Sequence, residues 1–135
     1  MTKGEKENMA TNVIPQPKKR HFAIPVALWG LQLLIAFVIS KAAFAKLTGN
    51  PGMVQLFDAI GAGQWFRYLT GVLEAVGSAG LLIPRVTGAA ALLLAGVMAG
   101  AVLTHLTLIG GSPALATFLL ISLLVIAWAR LGRQV

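Results

Sequence analysis

The amino-acid sequence predicts an all-α, polytopic membrane protein: a four-transmembrane-helix bundle with a short interfacial helix between the first and second spans. Three observations carry that expectation. Of 135 residues, 57% are apolar and only 11% are charged, which is far more apolar surface than one small soluble core would bury. The apolar residues gather into four segments, near 24–47, 65–83, 86–109 and 113–131, divided by breaks that carry Pro and Gly. Lys and Arg collect at the segment ends rather than along one face. The net charge of +7 therefore reads as membrane topology and not as a nucleic-acid surface.

Residues 1–21 are polar, show no hydrophobic period, and carry Pro15 and Pro17 just ahead of Lys18, Lys19 and Arg20. They predict a disordered, basic cytoplasmic arm in front of a transmembrane domain at 22–135. The first span opens with Pro25 in its first turn, where a missing N–H costs little. A basic stretch, an apolar run and Ala43-Phe44-Ala45 together imitate a cleaved secretory signal. The run exceeds the usual signal length of about 7–15 residues, and three further apolar segments need a membrane partner, so the segment is expected to stay as a span. Lys41 and Lys46 fall in its final turns, where long stems snorkel toward the outer interface.

The one long connection, residues 48–64, places Met53, Leu56, Phe57 and Ile60 at i, i+3, i+4 and i+7 between Pro51-Gly52 and Gly61-x-Gly63. That spacing predicts a short helix lying along the interface, either a passive cover over the helix ends or a lid over a pocket. Asp58, on its polar face, reads as solvated.

The second span carries Glu74 near its middle. A lone membrane acid costs on the order of 2.5–3.5 kcal/mol on insertion scales, so it turns to the bundle interior and finds a partner or a proton. Pro84-Arg85 leaves only a tight turn, which makes the second and third spans antiparallel neighbours. The third span carries Gly96-x-x-x-Gly100 with Ala91, Ala95 and Ala99 on an adjoining face, a small-residue pattern for close packing within the chain or between copies. Thr104 and His105 lie near its far end. Gly110-Gly111-Ser112-Pro113 closes a second hairpin, and the fourth span ends in Trp128, Arg130 and Arg133, ordinary interfacial anchors.

Counting basic residues sets the orientation. Lys18, Lys19, Arg20, Arg85, Arg130 and Arg133 fall on one side, which places both termini in the cytoplasm and the chain in a cytoplasmic (inner) membrane. Lys46, Arg67, Glu74 and His105 then share the outer half, with Thr70 and Ser78 one turn either side of Glu74. Singly each has a structural reading: a hydrogen-bonded acid, an imidazole at the wet interface, two snorkelling cations. Together, two cations and an imidazole around a buried acid mark a proton or anion site. Glu74 is expected to accept a hydrogen bond from at least one of Lys46, Arg67, Thr70 or His105.

Catalytic parts are missing. There is no Gly-rich phosphate loop, no HExxH, no nucleophile elbow, and no cysteine for thiol chemistry or disulfides. No catalytic residue and no metal motif is assigned, and a bis-His haem lacks its second intramembrane histidine within one chain.

Phe44-Ala45-Lys46-Leu47-Thr48-Gly49, Ile60-Gly61-x-Gly63-Gln64-Trp65-Phe66-Arg67-Tyr68, Gly71-x-Leu73-Glu74, Leu81-Leu82-Ile83-Pro84-Arg85 and Gly100-Ala101-Val102-Leu103-Thr104-His105-Leu106 resemble the DoxX-like family of small four-helix bacterial membrane proteins. The match spans residues 24–131 in the family's order and spacing, with a Lys, a Glu and a His at set places in three successive helices. The arm and Lys41 depart from the pattern, and nothing carries over to them. Some relatives are membrane subunits of quinone-linked sulfur-oxidising or oxidative-stress complexes. The resemblance therefore implies a site at Lys46, Arg67, Glu74 and His105, a protein partner, and quinone as the cofactor to consider.

Three functions follow as expectations. The first is a non-catalytic membrane subunit or scaffold of a larger, redox-linked complex, in contact with lipid and a protein partner or a second copy of itself. The alternative is a quinone-binding oxidoreductase subunit in which His105 or Lys46 donates to a quinone oxygen. A small proton-coupled carrier is the third, opposed by the absence of inverted repeats and broken helices.

Overall fold

A computed structural model describes residues 1–11 and 23–133 of the chain. The described residues form six α-helices and one π turn, with no strand.

The first helix corrects an expectation. Lys3–Thr11, α1, is helical where a disordered arm was expected. The Thr2 backbone N–H and hydroxyl both donate to Glu5 Oε2, at 2.8 and 3.0 Å. This is the Thr-x-x-Glu capping signature, which satisfies donors at the helix start and is readable in the sequence. The rest of the arm, with Lys18 to Arg20, lies outside the described residues.

Helix α2, Ala23–Leu47, is 25 residues long. It ends where Thr48 Oγ1 donates to the Phe44 carbonyl and Gly49 takes a left-handed φ of 73°. The short helix α3, Pro51–Ile60, starts with the Asn50 side chain accepting from Gly52 N and Pro51 in the first turn, and stops at Gly61 with φ 80°. Helix α4 runs Gln64–Leu81 and α5 Thr87–Thr104, the latter continuing as a single π turn, His105–Ile109. Gly110 and Gly111, both at positive φ, end it, and α6 is Ala114–Leu131.

Around the core, α2 packs on α4, α4 on α5, α5 on α6, and α6 returns to α2. The neighbours expected from the two hairpins are found. Ile35, Ile39, Leu94, Leu123 and Ile126 are fully buried between them. Three helices, Ile24–Leu47, Thr87–Ile109 and Ala114–Leu131, are long and apolar enough to cross a membrane. Helix α4, with Gln64, Arg67 and Glu74, falls short of that apolarity.

Small residues bring helices together, but not at the positions expected. A Cβ at Gly77 would stand 2.5 Å from Leu94 Cγ, and one at Gly80 2.7 Å from Ala90 Cβ. Gly96 and Gly100 have no neighbour within 4 Å of such an atom. They do not pack helices within this chain. The reason is the path of α4 and α5: the tight turn at 82–86 holds their adjoining ends together at Gly77 and Gly80, and beyond Leu94 a cavity separates them.

Candidate site: a buried ion pair beside an apolar cavity

Helix α4 turns its polar residues inward. Arg67, Gly71, Glu74, Gly77, Ser78 and Leu81 are buried, spaced three or four apart along one face. Trp65, Val72 and Val76 point outward and are exposed. Glu74, only 2% exposed, receives two hydrogen bonds from Lys46 Nζ of α2, at 2.8 Å to Oε1 and 2.7 Å to Oε2. Gly71 makes this meeting possible, because a Cβ there would lie 3.0 Å from Leu47 and 3.2 Å from Lys46 Cβ.

Arg67, 4% exposed, stands behind the pair. Its Nη1 donates to the Lys46 carbonyl, one of the unpaired carbonyls at the C-terminal end of α2, where a cation also complements the helix dipole. Its Nε donates to Gln64 Oε1 at 2.6 Å, and its guanidinium lies 4.2 Å from the Tyr68 ring centroid. Gln64 passes the connection on: its Nε2 donates to Asp58 Oδ1 at 2.7 Å and to the Val54 carbonyl at 3.1 Å, both in α3. Asp58 thus takes a hydrogen bond within the protein, and a chain of hydrogen bonds runs from Asp58 through Gln64, Arg67 and Lys46 to Glu74 across three helices. The sequence spacing showed Arg67 and Glu74 on one face but gave no sign of Gln64 as the link.

Beside the pair lies a cavity of about 950 Å³, toward the upper end of the range for small-molecule sites. Its walls are largely apolar: Ile39 and Ala42 of α2, Leu56 and Phe57 of α3, Leu69 and Leu73 of α4, Val97 and Leu103 of α5, Leu119 of α6. Gly96 and Gly100 form part of the wall, and their missing side chains leave the space open. Lys46, Thr70, Glu74, Thr104, His105 and Ser112 supply the polar lining. Helix α3 covers part of it and also touches the π turn. Such single π turns recur at functional sites.

The expected quartet is therefore only partly assembled. Lys46 and Glu74 are paired, Arg67 braces them outside the cavity wall, and His105 lines the same cavity without bonding to any of the three. The His105 Nδ1 lies 3.0 Å from the Gly110 carbonyl oxygen. One turn beyond Glu74, Ser78 Oγ is buried without a hydrogen-bond partner.

A second polar cluster went unread in the sequence. Gln32 of α2, fully buried, donates to the Leu81 carbonyl at 2.8 Å and accepts from Arg130 Nε at 2.7 Å and from Arg130 Nη2. Arg130, beyond its role as an anchor, sits 5.0 Å over the Trp29 ring and ties α6 to α2. The available signal was Gln32 itself, a lone amide within an apolar run.

No curated protein and no solved structure matches the chain. The model of the DoxX-like family matches residues 30–130, which include the whole ion pair, the cavity walls, Gln32 and Arg130. With three helices of membrane length around the site, the chain is a multi-pass membrane protein that contacts lipid and belongs to the DoxX-like family.

Proposed function

We propose that the chain is a four-span protein of the bacterial cytoplasmic membrane, both termini inside, acting as a non-catalytic subunit that holds a lipid-soluble amphiphile of the quinone class. The cavity is the observation that carries this reading: apolar walls with a polar lining beside them suit a long apolar tail and a small polar head. Helix α4 as the fourth span is supported by its inverted pattern, with polar residues inside and Trp65, Val72 and Val76 outside. Its 18 residues extend about 27 Å, close to the thickness of a bilayer core.

A quinone analogue added to detergent-purified protein should raise the unfolding temperature saturably. Gly96→Leu, which fills open space beside the cavity, should remove the effect while leaving the fold intact. Saturable binding that is indifferent to filling the cavity would refute the site. The chain has no native cysteine, so topology is read by labelling: Ser112→Cys should react with an impermeant thiol reagent in intact cells and Gln134→Cys should not.

A further inference from the structure

We infer that, within the quinone class, the cavity selects the reduced, hydroxyl-bearing (quinol) head over the oxidised head, which only accepts hydrogen bonds, and over anions. This rests on the reading of the cavity as a ligand site and narrows the chemistry of what it takes.

The inference follows from where the protons of the lining groups already go. Thr70 Oγ1 is 3.1 Å from both the Phe66 and Arg67 carbonyls, and Thr104 Oγ1 donates to the Gly100 carbonyl at 2.8 Å. Each hydroxyl proton is spent on its own helix, so toward a ligand both threonines present only lone pairs. A carbonyl oxygen can only accept, so the Gly110 contact requires the proton of a neutral His105 on Nδ1 and leaves Nε2 as an acceptor. Glu74 accepts only, and each of its oxygens keeps a lone pair beyond the one Lys46 uses.

Two donors remain. Lys46 Nζ retains its third proton, and the hydroxyl of exposed Ser112, which accepts from Ala114 N at 3.3 Å, retains its own. Among these side chains, acceptors therefore outnumber donors. A carbonyl or ether oxygen can answer Lys46 but strands Thr70, Thr104 and His105 Nε2. A hydroxyl can accept from Lys46 and at the same time donate to one of the acceptors. An anionic head finds no spare cation, because Lys46 is neutralised by Glu74 and Arg67 lies outside the wall.

The test compares three probes with one alkyl chain on purified full-length protein: a long-chain alkylphenol, its methyl ether and the corresponding alkyl phosphate, each followed by equilibrium titration. The phenol should bind about tenfold more tightly than the ether, the size of one net hydrogen bond. His105→Phe should reduce that ratio while leaving ether binding nearly unchanged. Thr104→Val keeps the side-chain shape and, if His105→Phe fails to fold, reports on the same selectivity. Equal binding of phenol and ether would overturn the hydroxyl preference and leave the ligand site standing. Tighter phosphate binding would overturn the charge argument. Absence of saturable binding by all three would overturn both the preference and the site it rests on.

Discussion

Removing one charge of the Lys46–Glu74 pair should be far more damaging than removing both. At 2.7 Å, with an effective dielectric constant of about 20, the gross attraction is about 6 kcal/mol. Each ion costs about 2.5–3.5 kcal/mol to place within a membrane helix, so the two together cost about 6 kcal/mol and nearly cancel the attraction. The pair is close to neutral in stability, as buried pairs often are. Lys46→Met or Glu74→Leu abolishes the attraction but retains one insertion cost, so each should destabilise by about 3 kcal/mol. The double substitution should return to within about 1 kcal/mol of the parent, since the two apolar side chains fill the same space. Unfolding in mixed micelles with increasing denaturing detergent measures all four corners of this cycle. Additive single effects, with a coupling below about 1 kcal/mol, would show that the pair is not the unit described. Glu74→Gln should be milder than Glu74→Leu, because the amide still accepts from Lys46.

Gly77→Ala should destabilise by about 1–3 kcal/mol, because its Cβ would meet the fully buried Leu94 at 2.5 Å. Gly100→Ala, which meets nothing within 4 Å, should be neutral or stabilise by roughly 0.5–1 kcal/mol in the same assay; equal losses at the two sites would refute the divergence of α4 and α5. Gln32→Leu should cost about 1–3 kcal/mol by leaving the Leu81 carbonyl only its 3.4 Å contact from Thr87 Oγ1 and taking from Arg130 its side-chain acceptor, and a loss no larger than that of Arg130→Lys would count against the link. Hydrogen bonds from Thr2 hold the Glu5 carboxyl below the usual carboxylate range. A lowered folded value means that support for α1 is present above the usual range and lost as pH falls through the lowered value. Amide shifts of Lys3–Thr11 should lose helical character on acidification, and a pH-independent profile would remove Glu5 from the account.

The functional region was legible wherever chemistry and chain order pointed the same way. Glu74 announced itself, because a carboxylate in an apolar helix must find a partner, and Lys46 was among the four groups named for it. The choice among those four was not legible. Lys46 lies 28 positions away, and only the close approach of α2 at Gly71 brings its Nζ to Glu74. His105 was placed with the others by depth and by the family resemblance, and the π turn and the Gly110 carbonyl hold it apart from them. Gly96 and Gly100 misled for a related reason: a small-residue motif shows where helices are able to meet, while the turn at 82–86 decides that they meet at Gly77 and Gly80 instead.

By itself the sequence determined the all-α class, the helix breaks at Pro and Gly, the antiparallel order forced by two short turns, and the inward face of α4. Those features depend on local conformation and on the cost of exposing polar groups to lipid, and both are set residue by residue along the chain. The tertiary structure alone decided that Lys46 neutralises Glu74, that Arg67 caps α2 through a carbonyl, that Gln32 joins α2 to α4 and α6, and that α4 and α5 part to leave a cavity lined by acceptors. Each depends on distances between residues remote in sequence, where a shift of one helical turn would exchange one partner for another without changing any local preference.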